Sequence, residues 1–430
     1  MTASRRREAR SQELYIRALD LLPGGVNSPV RAMRAIGRAP IFIASGEGAE
    51  IVDVDGNRYI DYVCSWGPLI HGHAHPEVIE AVIEAARRST TFGAPTEGEI
   101  ELAAEVTRRM PSVEMLRMTS SGTEATIAAL RLARAATGRE AVLKFAGAYH
   151  GHVDGLLAQA GSGLATQAIP SSPGVPAAAT AQTTVVAFND PAAVERATHE
   201  RQFAAIIAEP YPANMGLVEP REGFLELLRA RADDTGALLI FDEVISGFRV
   251  ARGGAQERSG VSADLTILGK VLGGGLPAAA FGGRSDVMQL VAPAGAVYHA
   301  GTLSGNPLAV AAGLATLRLL DRDAYERLEQ RTQELAQGLA AAAAAHGVAV
   351  QVPWLPGLLT VFFTSEPVYD YAGASACDLA SHAAFSRALL ERGVYPPPSQ
   401  CEAWFVSLAH TAEQLEQTLA AAAQAFALLS

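Results

Sequence analysis

The chain has 430 residues, of which 49% are hydrophobic, and it carries a formal net charge of −11. This length and composition predict a globular protein of two or three domains with a large buried core. Because an acidic surface repels the phosphate backbone of nucleic acids, the charge disfavours nucleic-acid binding as the main activity and favours small-molecule partners.

The amino-acid sequence does not show the patterns that are typical of secreted or membrane proteins. The arginine-rich residues 5–10 have no apolar run after them and include Glu8, which does not suit a signal or transit peptide. No apolar run reaches the about 18 residues that span a bilayer. Cys64, Cys377 and Cys401 are an odd number without CxxC spacing, so neither a disulfide framework nor a thiolate metal site is predicted. We therefore expect a cytoplasmic protein with no membrane partner.

The first 62 residues predict a helix followed by a small antiparallel segment. Apolar residues recur at helical spacing over 13–22, and Pro23-Gly24-Gly25 then stops the helix. Residues 41–43, 50–54 and 58–62 are typical of short strands, and the turn at 55–57 predicts a hairpin between the last two.

The middle of the chain predicts a mostly parallel sheet with helices on both faces. Strand-like runs at 141–145, 203–208 and 238–241 alternate with helical stretches. These runs are continuously apolar, as expected of strands that are buried on both faces. Ligands are then expected at the carboxyl ends of the strands.

The last hundred or so residues predict a separate α+β domain. A helix over 325–345 is followed by strand-like runs at 358–363 and 404–408, and a final helix begins after Thr411, a good cap with Gln414 three residues later. The predicted domains are residues 1–62, the α/β domain 63–318 and the C-terminal domain 319–430.

The glycine- and proline-rich residues 151–176 show little apolar periodicity and are too long for a routine connection. We interpret them as a candidate lid over an active site. An ordinary exposed loop is the equal alternative.

An acid and an amine stand at the ends of two predicted strands. Asp242 follows the apolar run 237–241, and Lys270 closes the segment 264–270. A carboxylate that holds a pyridine nitrogen protonated, with a lysine that forms an imine, is the protein's part of pyridoxal phosphate chemistry. Each residue alone is more often a helix cap or a solvated group. The pair therefore needs support from its neighbours at the same sheet edge.

Ser121, Gly122 and Thr123 precede a helical stretch and supply hydroxyl and backbone N–H groups. Because a helix N-terminus binds anions, the segment predicts a phosphate seat. The same residues are typical of a plain helix cap, and both interpretations stay open.

Two further predicted strands are followed by residues that suit a flat, polar ligand. Tyr149 and His150 come after the run 141–145, where an aromatic ring could stack on a cofactor beside Gly151. Asn214 follows the run that ends at Ala208 and offers a side-chain amide. Core packing of the ring and a turn role for the amide are the common alternatives.

These motifs, in this order, resemble the class III aminotransferases over nearly the whole chain. The resemblance rests on residues 121–125 (Ser-Gly-Thr-Glu-Ala), 241–244 (Phe-Asp-Glu-Val), 268–270 (Leu-Gly-Lys), 273–277 (Gly-Gly-Gly-Leu-Pro) and Gly301-Thr302. It implies the fold-type I architecture of pyridoxal-phosphate enzymes. This is an α/β fold with a large domain built on a mostly parallel seven-stranded sheet and a smaller α+β C-terminal domain joined by the N-terminal segment.

The resemblance also implies a role for each matching residue. Lys270 would bind the cofactor covalently and move protons, Asp242 would hold the pyridine nitrogen protonated, and Tyr149 would lie against the ring. Thr302 would reach the phosphate from a neighbouring subunit, which implies a homodimer with its active site at the interface. The cofactor-binding residues would be Ser121, Gly122, Thr123, Tyr149, His150, Asn214, Asp242, Lys270 and Thr302.

A second set of segments resembles the aminomutase members of that family. These are residues 23–32, 64–68, 161–163, 253–256, 301–307 and 398–400. The resemblance implies an isomerase that uses pyridoxal 5'-phosphate and pyridoxamine 5'-phosphate to convert glutamate-1-semialdehyde, an amino-aldehyde, into 5-aminolevulinate for tetrapyrrole synthesis, through a diaminovalerate intermediate. A lid would keep that intermediate in the site. The substrate would be met by Ser28, Arg31, Trp66, Ser162 and Glu402, with the guanidinium of Arg31 reading a carboxylate.

Other interpretations stay open. An intermolecular aminotransferase for ω- or β-amino acids would share the fold and the lysine. A metal-dependent hydrolase would use the alternating His71, His73 and His75 or the pair His150 and His152, although no carboxylate completes a metal site. A dehydrogenase is disfavoured, because residues 161–166 lack the last glycine of a dinucleotide-binding loop.

Residues at four places in the chain depart from the aminomutase pattern and leave the substrate preference open. They are His71, Tyr211-Pro212, His299 and Pro396-Pro397.

Overall fold

The computed structural model describes residues 6–158 and 172–429, which form an α/β structure with three sheets. The strands are β1 (Ile43–Glu47), β2 (Glu50–Asp53), β3 (Arg58–Asp61), β4 (Met115–Thr119), β5 (Val142–Phe145), β6 (Thr183–Val186), β7 (Ala205–Ala208), β8 (Leu238–Glu243), β9 (Leu265–Leu268), β10 (Ala279–Gly283), β11 (Trp354–Leu355), β12 (Leu358–Leu359), β13 (Val394–Tyr395) and β14 (Trp404–Phe405).

Helices surround and connect these sheets in the described ranges. They are α1 (Ala9–Leu21), α2 (Pro76–Arg88), α3 (Glu97–Arg109), α4 (Gly122–Thr137), α5 (Ala177–Thr180), α6 (Pro191–Glu200), α7 (Phe224–Thr235), α8 (Gly254–Ser259), α9 (Ser285–Met288), α10 (Pro307–Arg318), α11 (Arg322–Ala345), α12 (Tyr371–Ser375), α13 (Leu379–Glu391) and α14 (Ala412–Phe426). Short 3₁₀ turns lie at Pro23–Gly25, Pro29–Ala32, Arg34–Ile36, Cys64–Trp66, Asp154–Leu156 and Lys270–Gly273.

The central sheet has seven strands in the order β4-β10-β9-β8-β7-β5-β6. The neighbours from β9 to β6 pair in parallel, whereas β10 is antiparallel to both β4 and β9. The predicted mostly parallel seven-stranded sheet is therefore confirmed, with β10 as its one inserted antiparallel strand.

Apolar side chains fill both faces of this sheet. Ile206 and Leu239 belong to one buried cluster, and their chain neighbours Ile207 and Ile240 belong to another. Successive residues of a strand point to opposite faces, so a strand covered by helices on both sides must be apolar throughout. This requirement explains the continuous apolar runs of the sequence, and it leaves only the ends of the strands for polar chemistry.

The N-terminal strands form a second sheet with a strand from near the end of the chain. The order is β1-β2-β3-β13, and β13 pairs in parallel with β3 through Val394 opposite Ile60. The predicted hairpin is confirmed, since β2 and β3 are antiparallel around Gly56, whose φ is 84°. The β13 pairing joins residues that lie far apart in sequence. The domain limits proposed at 62 and 318 stay a prediction.

The C-terminal region follows the predicted pattern with shorter strands. Helix α14 begins with the expected capping box, in which Thr411 Oγ1 accepts a hydrogen bond from Gln414 N and the Gln414 side chain bonds back to Thr411 N. Only Leu358–Leu359 of the predicted strand 358–363 joins the sheet β11-β12-β14. In the described part of the chain, no helix is both long and apolar enough to cross a membrane.

Candidate active site

A cavity of about 440 Å³ lies elsewhere on the molecule, but a cavity of about 260 Å³ at the carboxyl ends of β5, β7, β8 and β9 collects most of the predicted chemistry. These strands deliver to it residues that lie up to 121 positions apart, from Tyr149 to Lys270, because parallel neighbours end at one edge. The cavity is lined by Gly122, Thr123, Thr126, Tyr149, His150, Gly151, Glu209, Asn214, Asp242, Val244, Ile245, Gly269 and Lys270.

Asp242 lies inside β8, one residue before the strand ends, and its carboxylate is almost completely buried. His150 Nδ1 lies 2.8 Å from Asp242 Oδ2, and Asp242 Oδ1 accepts a hydrogen bond from Val244 N at 3.1 Å. Burial lowers the pKa of His150, while Asp242 works in the opposite direction. The contact holds the carboxylate in one orientation towards the cavity.

Lys270 follows the end of β9 with a φ of 47°, a left-handed conformation that is uncommon for a residue with a side chain. Its Nζ donates a hydrogen bond of 2.6 Å to the backbone carbonyl of Trp66. Burial lowers the pKa of the Lys270 amine, against the attraction of Glu402 and other carboxylates. A lowered pKa raises the fraction of neutral amine, the form that attacks a carbonyl carbon.

Glu209 is a buried member of the site that the sequence did not single out. Its carboxylate accepts hydrogen bonds from Tyr149 N at 2.9 Å, Ala213 N at 3.1 Å and Asn214 Nδ2 at 2.7 Å. Burial, followed by the negative charge of Asp242, raises the pKa of Glu209 to about 7. Glu209 thus fixes the backbone of Tyr149 and the amide of Asn214. The sequence feature that could have identified Glu209 is its position directly after β7, because other residues of the site also lie at the ends of strands.

The N-terminus of α4 opens into the cavity through Gly122 and Thr123. Their N–H groups belong to the first turn of a 16-residue helix, which has no intrahelical partners for them. The Ser121 side chain accepts a hydrogen bond of 3.3 Å from Glu124 N. Its hydroxyl therefore caps the helix, and the phosphate seat at this N-terminus stays a prediction.

The predicted substrate residues are only partly gathered at this cavity. The carbonyl of Trp66 contacts Lys270, and Glu402 is close enough to raise the pKa of the Lys270 amine. Ser28 lines a different, open cavity near the N-terminal turns, and the side chain of Arg31 is exposed. Thr302 is exposed and does not line the 260 Å³ cavity.

The other predicted site residue, the candidate lid and two of the positions that depart from the aminomutase pattern can also be located. Ser162 and residues 159–171, half of the candidate lid, lie outside the described residues. Tyr211 is buried in a cluster with Cys64 and Phe405 and does not line the cavity. His299 packs edge-on against the ring of Phe281, away from the cavity lining.

The alternating histidines point to different partners. His71 Nε2 contacts the carbonyl of Thr316 at 2.9 Å, and His73 Nε2 contacts Asp61 Oδ2 at 2.7 Å. Over residues 6–158 and 172–429, no group of three histidine, cysteine or acidic side chains is placed to hold a metal ion. The histidine pattern therefore has a structural explanation in separate contacts.

The cavity fits a pyridoxal phosphate group by its chemistry. A carboxylate suits a protonated pyridine nitrogen, an amine suits an aldehyde, and the N-terminus of α4 suits a phosphate. The buried Nε2 of His150 has no hydrogen-bond partner among the described residues, although it lines the cavity beside Asp242. A buried polar atom of this kind is expected to meet a ligand or water.

Comparisons with known proteins agree with this geometry. A family model described as "Aminotransferase class-III" matches residues 33–426. A protein named glutamate-1-semialdehyde 2,1-aminomutase from Roseiflexus castenholzii is 59% identical over 97% of this chain and 96% of the relative. The crystal structure of an omega-transaminase from Sphaerobacter thermophilus superposes with a TM-score of 0.90 at 35% identity, and covers 96% of both chains.

A further solved structure contains a cofactor. It is a variant of glutamate-1-semialdehyde-aminomutase from Pseudomonas aeruginosa PAO1 in complex with PMP, with a TM-score of 0.86, 28% identity and coverage of 97% of this chain and 94% of that chain. The match spans the sheet, the cavity and the C-terminal region described above. The chain belongs to the class III aminotransferases.

Proposed function

We propose that this protein is a pyridoxal-phosphate-dependent isomerase that converts glutamate-1-semialdehyde into 5-aminolevulinate by moving the amino group within one molecule, a step of tetrapyrrole synthesis. The observation that carries the chemistry is that the Lys270 amine and the Asp242 carboxylate open into one cavity beside the N-terminus of α4. The choice of substrate is supported by the 59% identity, over 97% of this chain, to the glutamate-1-semialdehyde 2,1-aminomutase from Roseiflexus castenholzii.

The proposed roles follow from what each group can do. When bound, pyridoxal phosphate supplies an electron sink for charge that develops on the carbon next to the amine. Asp242 pairs with the pyridine nitrogen and keeps it protonated, because a buried carboxylate favours a nearby positive charge. The N–H groups of Gly122 and Thr123 hold the phosphate. Lys270 binds the cofactor and, when its amine is free, takes and returns the proton at the substrate carbon.

The walls of the cavity orient the ring. Tyr149 lines the cavity with its backbone held by Glu209, and Asn214 is held by the same carboxylate. Fixed side chains lose little entropy when a flat ligand enters, which favours one productive orientation.

We further propose that the enzyme acts as a cytoplasmic homodimer. Thr302 is exposed and lies outside the cavity, as expected of a residue that serves the site of a second copy. Cys64, Cys377 and Cys401 are all free, which suits a reducing compartment. In this proposal Arg31 and Ser28 bind the carboxylate of the substrate. Trp66, Ser162 and Glu402 contact the rest of the same substrate.

A direct test uses purified protein with glutamate-1-semialdehyde and no amino donor, and measures 5-aminolevulinate. We expect product from the wild type and none from Lys270→Ala. Product that forms only when an amino acid and a keto acid are supplied would instead support an intermolecular aminotransferase for ω- or β-amino acids.

The lysine content makes the cofactor assignment easy to test. Of the 34 basic side chains only two are lysines, Lys144 and Lys270. Borohydride reduction of the holoenzyme, followed by mass spectrometry, is expected to place the cofactor on the peptide that contains Lys270. A label on Lys144, or a visible absorption band that does not change after borohydride treatment, would contradict the assignment.

A further inference from the structure

The turn that meets Lys270 has an unusual backbone. Cys64, Ser65 and Trp66 have φ values of 45°, 58° and 68°, and Gly67 follows with 115°. Residues with side chains seldom adopt the left-handed region, and three in succession are kept only where the surrounding contacts outweigh the strain. Something outside the turn must therefore hold it.

Asp61, the last residue of β3, holds the start of this turn. Its buried carboxylate accepts hydrogen bonds from Val63 N at 2.8 Å and from Cys64 N at 3.1 Å, one on each oxygen. The thiol of Cys64 donates to the backbone carbonyl of Asp61 at 3.3 Å. His73 Nε2 lies 2.7 Å from Asp61 Oδ2, the oxygen that also accepts from Cys64 N, and this contact fixes the carboxylate.

The end of the turn is held by a second buried group. The guanidinium of Arg249 donates to the carbonyl of Gly67 and to the carbonyls of Gly357 and Val406. The stem of Lys270 packs directly on this glycine, since a Cβ atom at Gly67 would lie 3.2 Å from Lys270 Cδ. The turn is thus clamped at both ends, with the lysine lying across it.

The middle of the turn presents the carbonyl of Trp66 to Lys270 Nζ at 2.6 Å. We infer that Asp61 is a positioning residue for Lys270: through the left-handed turn it places the carbonyl that receives the amine whenever Lys270 is not bound to the cofactor. This inference rests on the proposed role of Lys270. It also gives His73 a function, because its contact keeps the Asp61 carboxylate aimed at the two backbone N–H groups.

A free lysine amine has many rotamers, and a fixed acceptor reduces them to one. Proton transfer needs the amine within hydrogen-bond reach of the reacting carbon, so a defined resting place shortens the search for the reactive geometry. Without Asp61 the turn can relax to ordinary φ values, and the carbonyl of Trp66 moves away from the amine.

The chain contains a matched control for this role. Asp53 is also a buried aspartate at the end of a neighbouring strand, and its Oδ1 accepts hydrogen bonds from the backbone N–H groups of Asp55 and Asn57. Tyr59 also donates to it at 3.1 Å. Asp53 has no contact with the turn or with Lys270, so Asp53→Asn reports the general cost of losing a buried carboxylate.

The experiment compares wild type, Asp61→Asn and Asp53→Asn. Cofactor is removed from each protein, pyridoxal phosphate is added back, and the rate of its covalent attachment to Lys270 is followed by the visible band and by borohydride trapping. The kcat and KM for glutamate-1-semialdehyde and the melting temperature are measured in parallel. An asparagine at 61 keeps one acceptor and turns an amide N–H₂ towards a backbone N–H, so it cannot hold the turn.

We expect Asp61→Asn to slow attachment and to lower kcat by about 10-fold to 100-fold, with a melting temperature close to that of Asp53→Asn. His73→Leu leaves Asp61 in place, so we expect a smaller decrease in the attachment rate and in kcat. This variant replaces Asp61→Asn in the experiment if Asp61→Asn does not fold. Attachment to Asp61→Asn or His73→Leu at the rate of Asp53→Asn would overturn the inference while the proposed function stands. Wild-type protein that never attaches cofactor at Lys270 would overturn both.

Discussion

His150 Nδ1 and Asp242 Oδ2 lie 2.8 Å apart in a contact that is almost completely shielded from solvent. A buried carboxylate is costly unless it is paired or hydrogen-bonded, and Asp242 receives this contact and the N–H of Val244. The pair therefore keeps a negative charge in place at the point where a pyridine nitrogen is proposed to bind.

Asp242→Asn tests that charge. A neutral amide keeps the shape of the side chain but no longer favours a protonated ring, so we expect kcat to fall by about 100-fold to 1,000-fold. The measurement is turnover of glutamate-1-semialdehyde, with borohydride trapping at Lys270 as a check that cofactor still binds. Activity within a factor of two of wild type would rule out the assigned role. His199→Gln, on the exposed surface of α6, is the neutral control.

Lys144 is expected to anchor the segment that carries Tyr149. Its buried Nζ donates to the carbonyls of Ala148 at 3.2 Å, Leu156 at 2.9 Å and Ala158 at 3.4 Å. Lys144→Met leaves these carbonyls without a donor, so we expect a loss of about 2 kcal/mol in the free energy of unfolding. Chemical denaturation measures the loss, and limited proteolysis near Leu156 reports local opening. Unchanged stability and cleavage would show that the three contacts do not matter.

Lys144 should also leave a signature in alkaline solution. Burial lowers the pKa of its amine from 10.5 to about 8. Between these values the folded protein has released a proton that the unfolded chain still binds, so this group makes the free energy of unfolding rise with pH in that window. We expect the rise to be smaller in Lys144→Met when denaturation is compared at pH 8 and pH 10. Parallel curves for the two proteins would contradict the shift.

Acid is expected to destabilise the fold through buried histidines. Burial lowers the pKa of His71, His382 and His410 from 6.5 to about 4 in each case. The unfolded chain therefore binds protons between pH 6.5 and pH 4 that the folded protein does not, and stability falls as the pH falls through this window. Between pH 7 and pH 4.5, His382→Leu should remove about 2 kcal/mol of that acid loss. Denaturation curves at pH 7 and pH 4.5 give the difference in the free energy of unfolding for each protein. The same difference in wild type and in His382→Leu would refute the prediction.

A shared active site can be tested by mixing two inactive variants. Lys270→Ala lacks the amine, and Thr302→Val lacks the hydroxyl proposed to reach the partner's phosphate site. In a mixed dimer one site carries both defects and the other carries neither, so unfolding and refolding the two proteins together should restore part of the wild-type activity. Gel filtration checks the dimer. No recovery from a mixture that forms mixed dimers would show that Thr302 acts in its own subunit or not at all.

Local features of the sequence determined the scaffold and the class of chemistry. The apolar run before Asp242 predicted a strand buried on both faces, and the capping pair Thr411 and Gln414 predicted the start of a helix; the structure has both. Both rest on neighbouring residues, whose steric and hydrogen-bonding preferences act within a few positions. The order of the motifs around Lys270 added the family.

Contacts between segments that lie far apart in the sequence decided how the site residues are positioned. Nothing near Glu209 in sequence predicts that its carboxylate would hold Tyr149, 60 positions away, and nothing near Asp61 predicts a link through Trp66 to Lys270, 204 positions beyond that tryptophan. The first contact forms because parallel strands of the central sheet bring their ends to one edge, and the second forms because the turn after β3, from the N-terminal sheet, packs against the end of β9. Burial then changes what the groups can do, since it raises the pKa of Glu209 to about 7 and lowers that of the Lys270 amine. The residue types are written in the sequence, but their distances and their solvation are properties of the tertiary structure.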